Sequence, residues 1–146
     1  MNNYPVLYVI VRDDITSMTA GKAEAHSGHA ASKFVWEMYV KHPNEHIKKT
    51  FQDWVLSTID GGFGTQINLK GSFEDIYSIY DYVKGNKLQG KVWMGEVKDT
   101  TYPYVDTITG VNKCMARTTA FYIFGMKHDL RRLTENMELK LSLIHI

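Results

Sequence analysis

The chain reads as an α/β domain: a mixed four-stranded sheet with helices on both faces, three layers in all. Three observations predict it. Apolar runs of strand length alternate with segments of helical periodicity. Capping and turn residues stand at the junctions. The 146 residues, 44% hydrophobic and 23% charged, suffice for one ordinary core.

Each element follows from its own residues. Tyr4 to Arg12 is apolar on both faces, as a central strand should be. A polar loop, Asp13 to Thr19, leads to a helix over about Ala20 to His42. Ala23, Ala30, Phe34, Val35 and Met38 form its inner stripe. His42-Pro43-Asn44 breaks that helix, and Asn44 caps a second with Ile47, Phe51 and Trp54 at helical spacing. Asp60-Gly61-Gly62 turns the chain into Thr65–Lys70, whose alternation predicts a strand with one exposed face. Ser72 and Asp75 form a capping-box start to the next helix. Ile76, Ile79, Tyr80 and Val83 are its buried stripe, and Gly85-Asn86 ends it. A third strand over about Val92 to Lys98 and a fourth over about Thr118 to Phe124 flank a long polar loop, Asp99 to Arg117. A loop of that size suggests function. The two strands it joins should pair antiparallel, and a basic helix should run on to about Lys140.

Composition narrows the classes. A single cysteine, Cys114, excludes an internal disulfide and fits a reducing, cytoplasmic setting. No apolar run approaches membrane-spanning length, and the start carries no secretory leader pattern. The net charge of +1 says nothing as a total; a nucleic-acid ligand needs the positive charge gathered on one face. Leu141-Ser142-Leu143-Ile144-His145-Ile146 reads as translated sequencing-adapter sequence, so the domain is taken as residues 1–140.

The most informative stretch is Met18 to Ala31. Thr19 is a plausible N-cap, which places Lys22 in the first turn, the end of a helix where a cation is disfavoured. Lys22, His26 and His29 then share one face. The stretch fits the pattern M-x-x-G-K-x-x-A-[Q]-x-[S]-H-A-A and resembles the signature of the type II peptidyl-tRNA hydrolases through Met18, Gly21, Lys22, Ala25, His29, Ala30 and Ala31. It departs at His26, where the family usually has Gln, and at Gly28, where Ser is common. Asp99, after an apolar strand, and Thr119, opening the last strand, match two further family positions in the same order. The resemblance implies a diverged member, of the kind a phage would encode.

What the resemblance implies is hydrolysis of the ester between a peptide and the 3′ ribose of tRNA, by direct water attack without metal or cofactor. No nucleophile elbow or zinc-binding spacing is visible beside it. Lys22 would hold a phosphate or the oxyanion. Asp99 would act as base or orient the water, and Thr119 would donate to substrate. His26 would line the site and make activity change between about pH 6 and 7. His29 reads as a buried histidine bonded to a strand or loop, beside the substrate. The His26–His29 spacing suits a metal pair, but no third ligand is readable. Thr101 stands near a further family Thr, whose offset falls at Pro103. Lys113, Arg117, Lys127, His128, Arg131 and Arg132 would track the tRNA by phosphate contacts if they share a face with Lys22. Tyr102, Tyr104 or Phe63 would stack on the terminal adenine. A homodimer is left open. Two other readings stand: a non-catalytic RNA- or protein-binding module on the same fold, and a hydrolase or transferase for small acylated substrates.

Overall fold

The computed structural model describes residues 3–15, 18–57, 64–133 and 138–139. The Asp60-Gly61-Gly62 turn, Phe63 and the segment 140–146 lie outside the described residues. Within them the order is β1 (Pro5–Arg12), α1 (Ala20–Val40), α2 (Glu45–Leu56), β2 (Thr65–Gly71), α3 (Phe73–Gly85), β3 (Trp93–Val105), β4 (Asn112–Met126), α4 (Lys127–Leu130) and β5 (Glu138–Leu139). The strands form one mixed sheet in the order β3-β4-β1-β2-β5. β1 pairs parallel with β2 and antiparallel with β4, and β3 pairs antiparallel with β4. The α/β class read from the sequence is the one observed.

β1 lies between two strands and is buried on both faces, which is why it shows no alternation. Leu7, Val9 and Val11 pack under α1 and α2, with Ala23, Ala30, Phe34, Met38, Ile47 and Trp54. Val6, Tyr8 and Ile10 face α3, with Ile76, Ile79, Val83 and the buried Leu130 of α4. The helix starts are those expected. The side chains of Thr19, Asn44 and Ser72 each accept an N–H from the first turn of α1, α2 and α3, and Ser72 and Asp75 close the full capping box. Phe34 centres the α1 side, its ring 4.7 Å from Phe124 and 5.6 Å from both Phe51 and Trp54. β3 is an edge strand, and Lys33 of α1 donates to the Glu96 carbonyl on it, one of the ways an open sheet edge is blunted.

Two expectations are corrected. The segment 99–117 is not a loop: β3 and β4 continue as a hairpin, and only Asp106–Val111 turns. The Asp106 carboxylate accepts the Ile108 and Thr109 N–H groups, Gly110 supplies φ = 72°, and Lys113 bridges back to Asp106 at 2.8 Å. Thr100, Thr101, Tyr102, Tyr104 and Val105 are residues that favour strands. Among the described residues, the basic helix expected to run to about Lys140 is also not continuous. α4 is one turn long, and the two-residue β5 pairs with the outer edge of β2, Leu69 with Leu139. A free sheet edge offers the chain ladder bonds that compete with a short helix.

The pairing of Gly95 with Tyr122 generates a test. The Tyr122 ring crosses Gly95 so closely that a Cβ there would overlap the ring and its hydroxyl. Gly95→Ala is expected to cost about 1–3 kcal/mol in urea unfolding. Most of that loss should vanish when Tyr122 is replaced by Leu; an equal loss in both backgrounds would refute the clash.

Candidate active site

β4 pairs with β1 only from Ala120 onward, so β3 and β4 run past the end of β1 as a two-stranded arm beside the start of α1. At the root of that arm the register slips twice. Val97 pairs with Ala120 but Lys98 with Thr118, leaving Thr119 as an extra residue of β4. Further out, Asp99 pairs with Arg117 and Tyr102 with Met115, so Thr100 and Thr101 together oppose Ala116. Each is a β-bulge, and a bulge re-aims a side chain. Strict alternation from Ala120, which faces α1, would turn Thr119 toward α3. With the bulge, Thr119 and Ala120 both face α1. The second bulge likewise brings Tyr102 to the face that Asp99 occupies.

Onto this face α1 sets Lys22 and His26. His26 is 7% exposed and Thr119 is fully buried. The His26 Nδ1 lies 3.0 Å from the Thr119 Oγ1, and Nε2 lies 3.9 Å from the Asp99 carboxylate. One tautomer suits both neighbours: Thr119 O–H donates to Nδ1, and the Nε2 proton faces the carboxylate. The opposite tautomer would turn a lone pair toward a negative charge. Burial pushes the imidazole pKa below its ordinary 6.5; Asp99 opposes the shift, while His29 and Lys22 add to it. His26 is therefore neutral at pH 7. The change expected between about pH 6 and 7 moves below 6.5, because burial outweighs the carboxylate.

The cations gather on Tyr102. Its ring, 1% exposed, has the Lys22 Nζ 5.5 Å and the Arg117 Cζ 5.8 Å from its centroid, with the His26 ring 6.4 Å away. The structure thus places Lys22, Asp99, Thr119 and Arg117 around His26 and the Tyr102 ring. A cleft of about 240 Å³ opens between the ends of β1 and β2 and the first turn of α1, lined by Arg12, Met18, Thr19, Ala20, Ala23 and Lys70.

Other expectations fail on position. His29 is exposed rather than buried, at the mouth of a cleft it lines with Lys33 and the edge-strand residues Glu96 and Lys98; it meets His26 edge-on at 5.7 Å. Thr101 occupies the β3 bulge, and its side chain, like that of Tyr104, lies outside the described residues. Tyr102 is too buried, and too crowded by Lys22, Arg117 and His26, to offer a face to a base. Lys113 lies near the hairpin turn, held by Asp106. Lys127 bonds the Tyr4 hydroxyl at 2.9 Å, at the opposite end of β1. Eight residues of extended chain separate it from Thr119, about 27 Å. Arg131, Arg132 and His128 line a separate cleft there with Tyr82 and Asn86. The basic residues therefore do not form one face. Among the described residues, no group of three or more His, Cys, Asp or Glu side chains is placed to hold a metal ion. No family model matches the chain, and no curated protein matches it in sequence.

Two outcomes test this geometry. A folded pKa below the unfolded 6.5 means that the unfolded chain binds the extra proton first. His26 therefore contributes its full stability above pH 6.5 and loses it as pH falls toward the folded value. Urea unfolding between pH 7 and 5 should show a decline that His26→Gln flattens. Thr119→Val, which leaves Nδ1 without its hydroxyl, should cost about 1–3 kcal/mol at pH 7 and nothing further in a His26→Leu background, which has no acceptor to orphan.

Proposed function

We propose that this chain hydrolyses the ester linking a peptide to the 3′ ribose of tRNA, as the type II peptidyl-tRNA hydrolases do. The reading rests on the resemblance of Met18 to Ala31 and on one observation above the others. The residues that resemblance singles out, from α1, β3 and β4, surround a single imidazole at the end of the sheet.

In this reading Asp99 is the base. The neutral His26 faces it through Nε2 and fixes its orientation, while Thr119 fixes His26. A water held by Asp99 attacks the ester carbonyl and gives its proton to the carboxylate. The negative charge that forms on the carbonyl oxygen meets the Lys22 ammonium near the first turn of α1. The carbon–oxygen bond to the ribose then breaks, and the 3′ oxygen recovers a proton. Arg117 adds positive charge on the same side, suited to the phosphates of the acceptor end. Lys127 and Arg131, at the far end of the sheet, take no part. As pH drops, the proton that His26 takes up adds a third positive charge to the site and takes away its neutral form.

The test is cleavage of purified peptidyl-tRNA by the intact protein. Lys22→Ala and Asp99→Asn should each lower kcat/KM by about a hundredfold or more, with tRNA binding retained. A protein that binds tRNA tightly without cleaving the ester, and whose binding ignores both substitutions, would instead be a binding module.

A further inference from the structure

We infer that Tyr102 is the positioning residue of this site: its ring seats the Lys22 ammonium and the Arg117 guanidinium together beside His26. What the seated pair does rests on the hydrolase reading; that the ring seats it rests on geometry alone.

Lys22 has strong reasons to be elsewhere. It stands in the first turn of a helix, where the macrodipole repels a cation, and near a second cation that repels it again. Its four-carbon stem would carry it readily into solvent. The face of an aromatic ring attracts cations through its quadrupole, most strongly where water is excluded. Tyr102 offers such a face from a fixed place, since it is 1% exposed and held in register with Met115. Arg117 stands opposite Asp99 across the ladder, and the bulge between Asp99 and Tyr102 brings the ring beneath it.

The hydroxyl points the same way. Buried, it has no hydrogen-bond partner among the described residues. Among the described residues, the contacts that tie Tyr102 to this face are those of its ring, with two cations and an imidazole. Asp99 also attracts positive charge to this face, so the test must isolate the ring.

The direct measurement is the side-chain resonance of Lys22 in isotope-labelled protein, assigned with Lys22→Arg. Seated over the ring, its Cε protons are displaced upfield of the other lysines by the ring current. The displacement should persist in Tyr102→Phe and vanish in Tyr102→Leu. Undisplaced protons in the unaltered protein would overturn the inference, whether or not the Leu variant folds. Peptidyl-tRNA cleavage gives the second readout. Tyr102→Leu should lower kcat about tenfold with little change in KM, and Tyr102→Phe should recover most of the loss. In the Lys22→Ala background the Leu substitution should cost much less, only the share carried by Arg117. Full additivity would mean that Tyr102 acts otherwise than through Lys22. A protein inert on peptidyl-tRNA would sink the hydrolase reading while the resonance still decides the seating.

Discussion

Where β1 stops, the guanidinium of Arg12 takes over. β4 continues past its last bond to β1, and the Thr118 carbonyl, at the start of the bulge, accepts from Arg12 Nη1 at 3.2 Å. Arg12 is itself held by both oxygens of Asp14, at 2.8 and 3.0 Å, and lies over the Phe73 ring. Asp14 also accepts the Phe73 N–H at the start of α3, so one ion pair ties the bulge to the helix layer beneath it. The Arg12 hydrogen bond holds the Asp14 carboxyl below its usual range. The brace therefore stays charged through the mildly acidic range in which His26 takes up its proton. Release this corner and Thr119 is free to return to ordinary alternation, away from α1.

The charges around His26 follow from that geometry. An imidazole buried beside one carboxylate would normally be drawn toward the charged form, but desolvation and the neighbouring His29 and Lys22 act in the opposite direction. The result is a neutral ring with one nitrogen given to Thr119 and the other turned to Asp99. A glutamine at position 26 could make the same two contacts, donating through its amide nitrogen and accepting through its oxygen. It could not titrate. A histidine rather than a glutamine at this position would therefore keep both contacts and add a proton-dependent charge.

Much of this fold was legible because local chemistry decides it. Thr19, Asn44 and Ser72 cap as expected since a capping oxygen needs only the turn that follows it. β1 reads as central because both its faces are apolar. The arm was not legible. Its residues favour strands, but whether two strands continue beyond a sheet depends on the partner across the ladder, which no local window contains. The bulges were hidden for the same reason, and with them the orientation of Thr119 and the burial of Tyr102. Lys22 and Asp99 could be singled out by motif and order. Arg12 could not, since a strand-ending arginine carries no local mark of the carbonyl it serves.

Two bulges are needed rather than one. The extra residue in β4, at Thr119, puts the strands out of step by one position, and with that slip alone Tyr102, three residues after Asp99, would alternate to the opposite face. The extra residue in β3, before Tyr102, restores the step: Val97 and Ala120 sum to the same register as Tyr102 and Met115. Between the two slips lies the short out-of-step segment that carries Asp99 and Arg117. The first slip turns Thr119 to α1, the second turns Tyr102 there, and the pair between them keeps that face. Removing either bulge alone separates the hydroxyl from the ring; removing both restores a regular hairpin that has lost both. The polar cluster is thus a property of the paired slips, and no single residue of it could be placed by alternation.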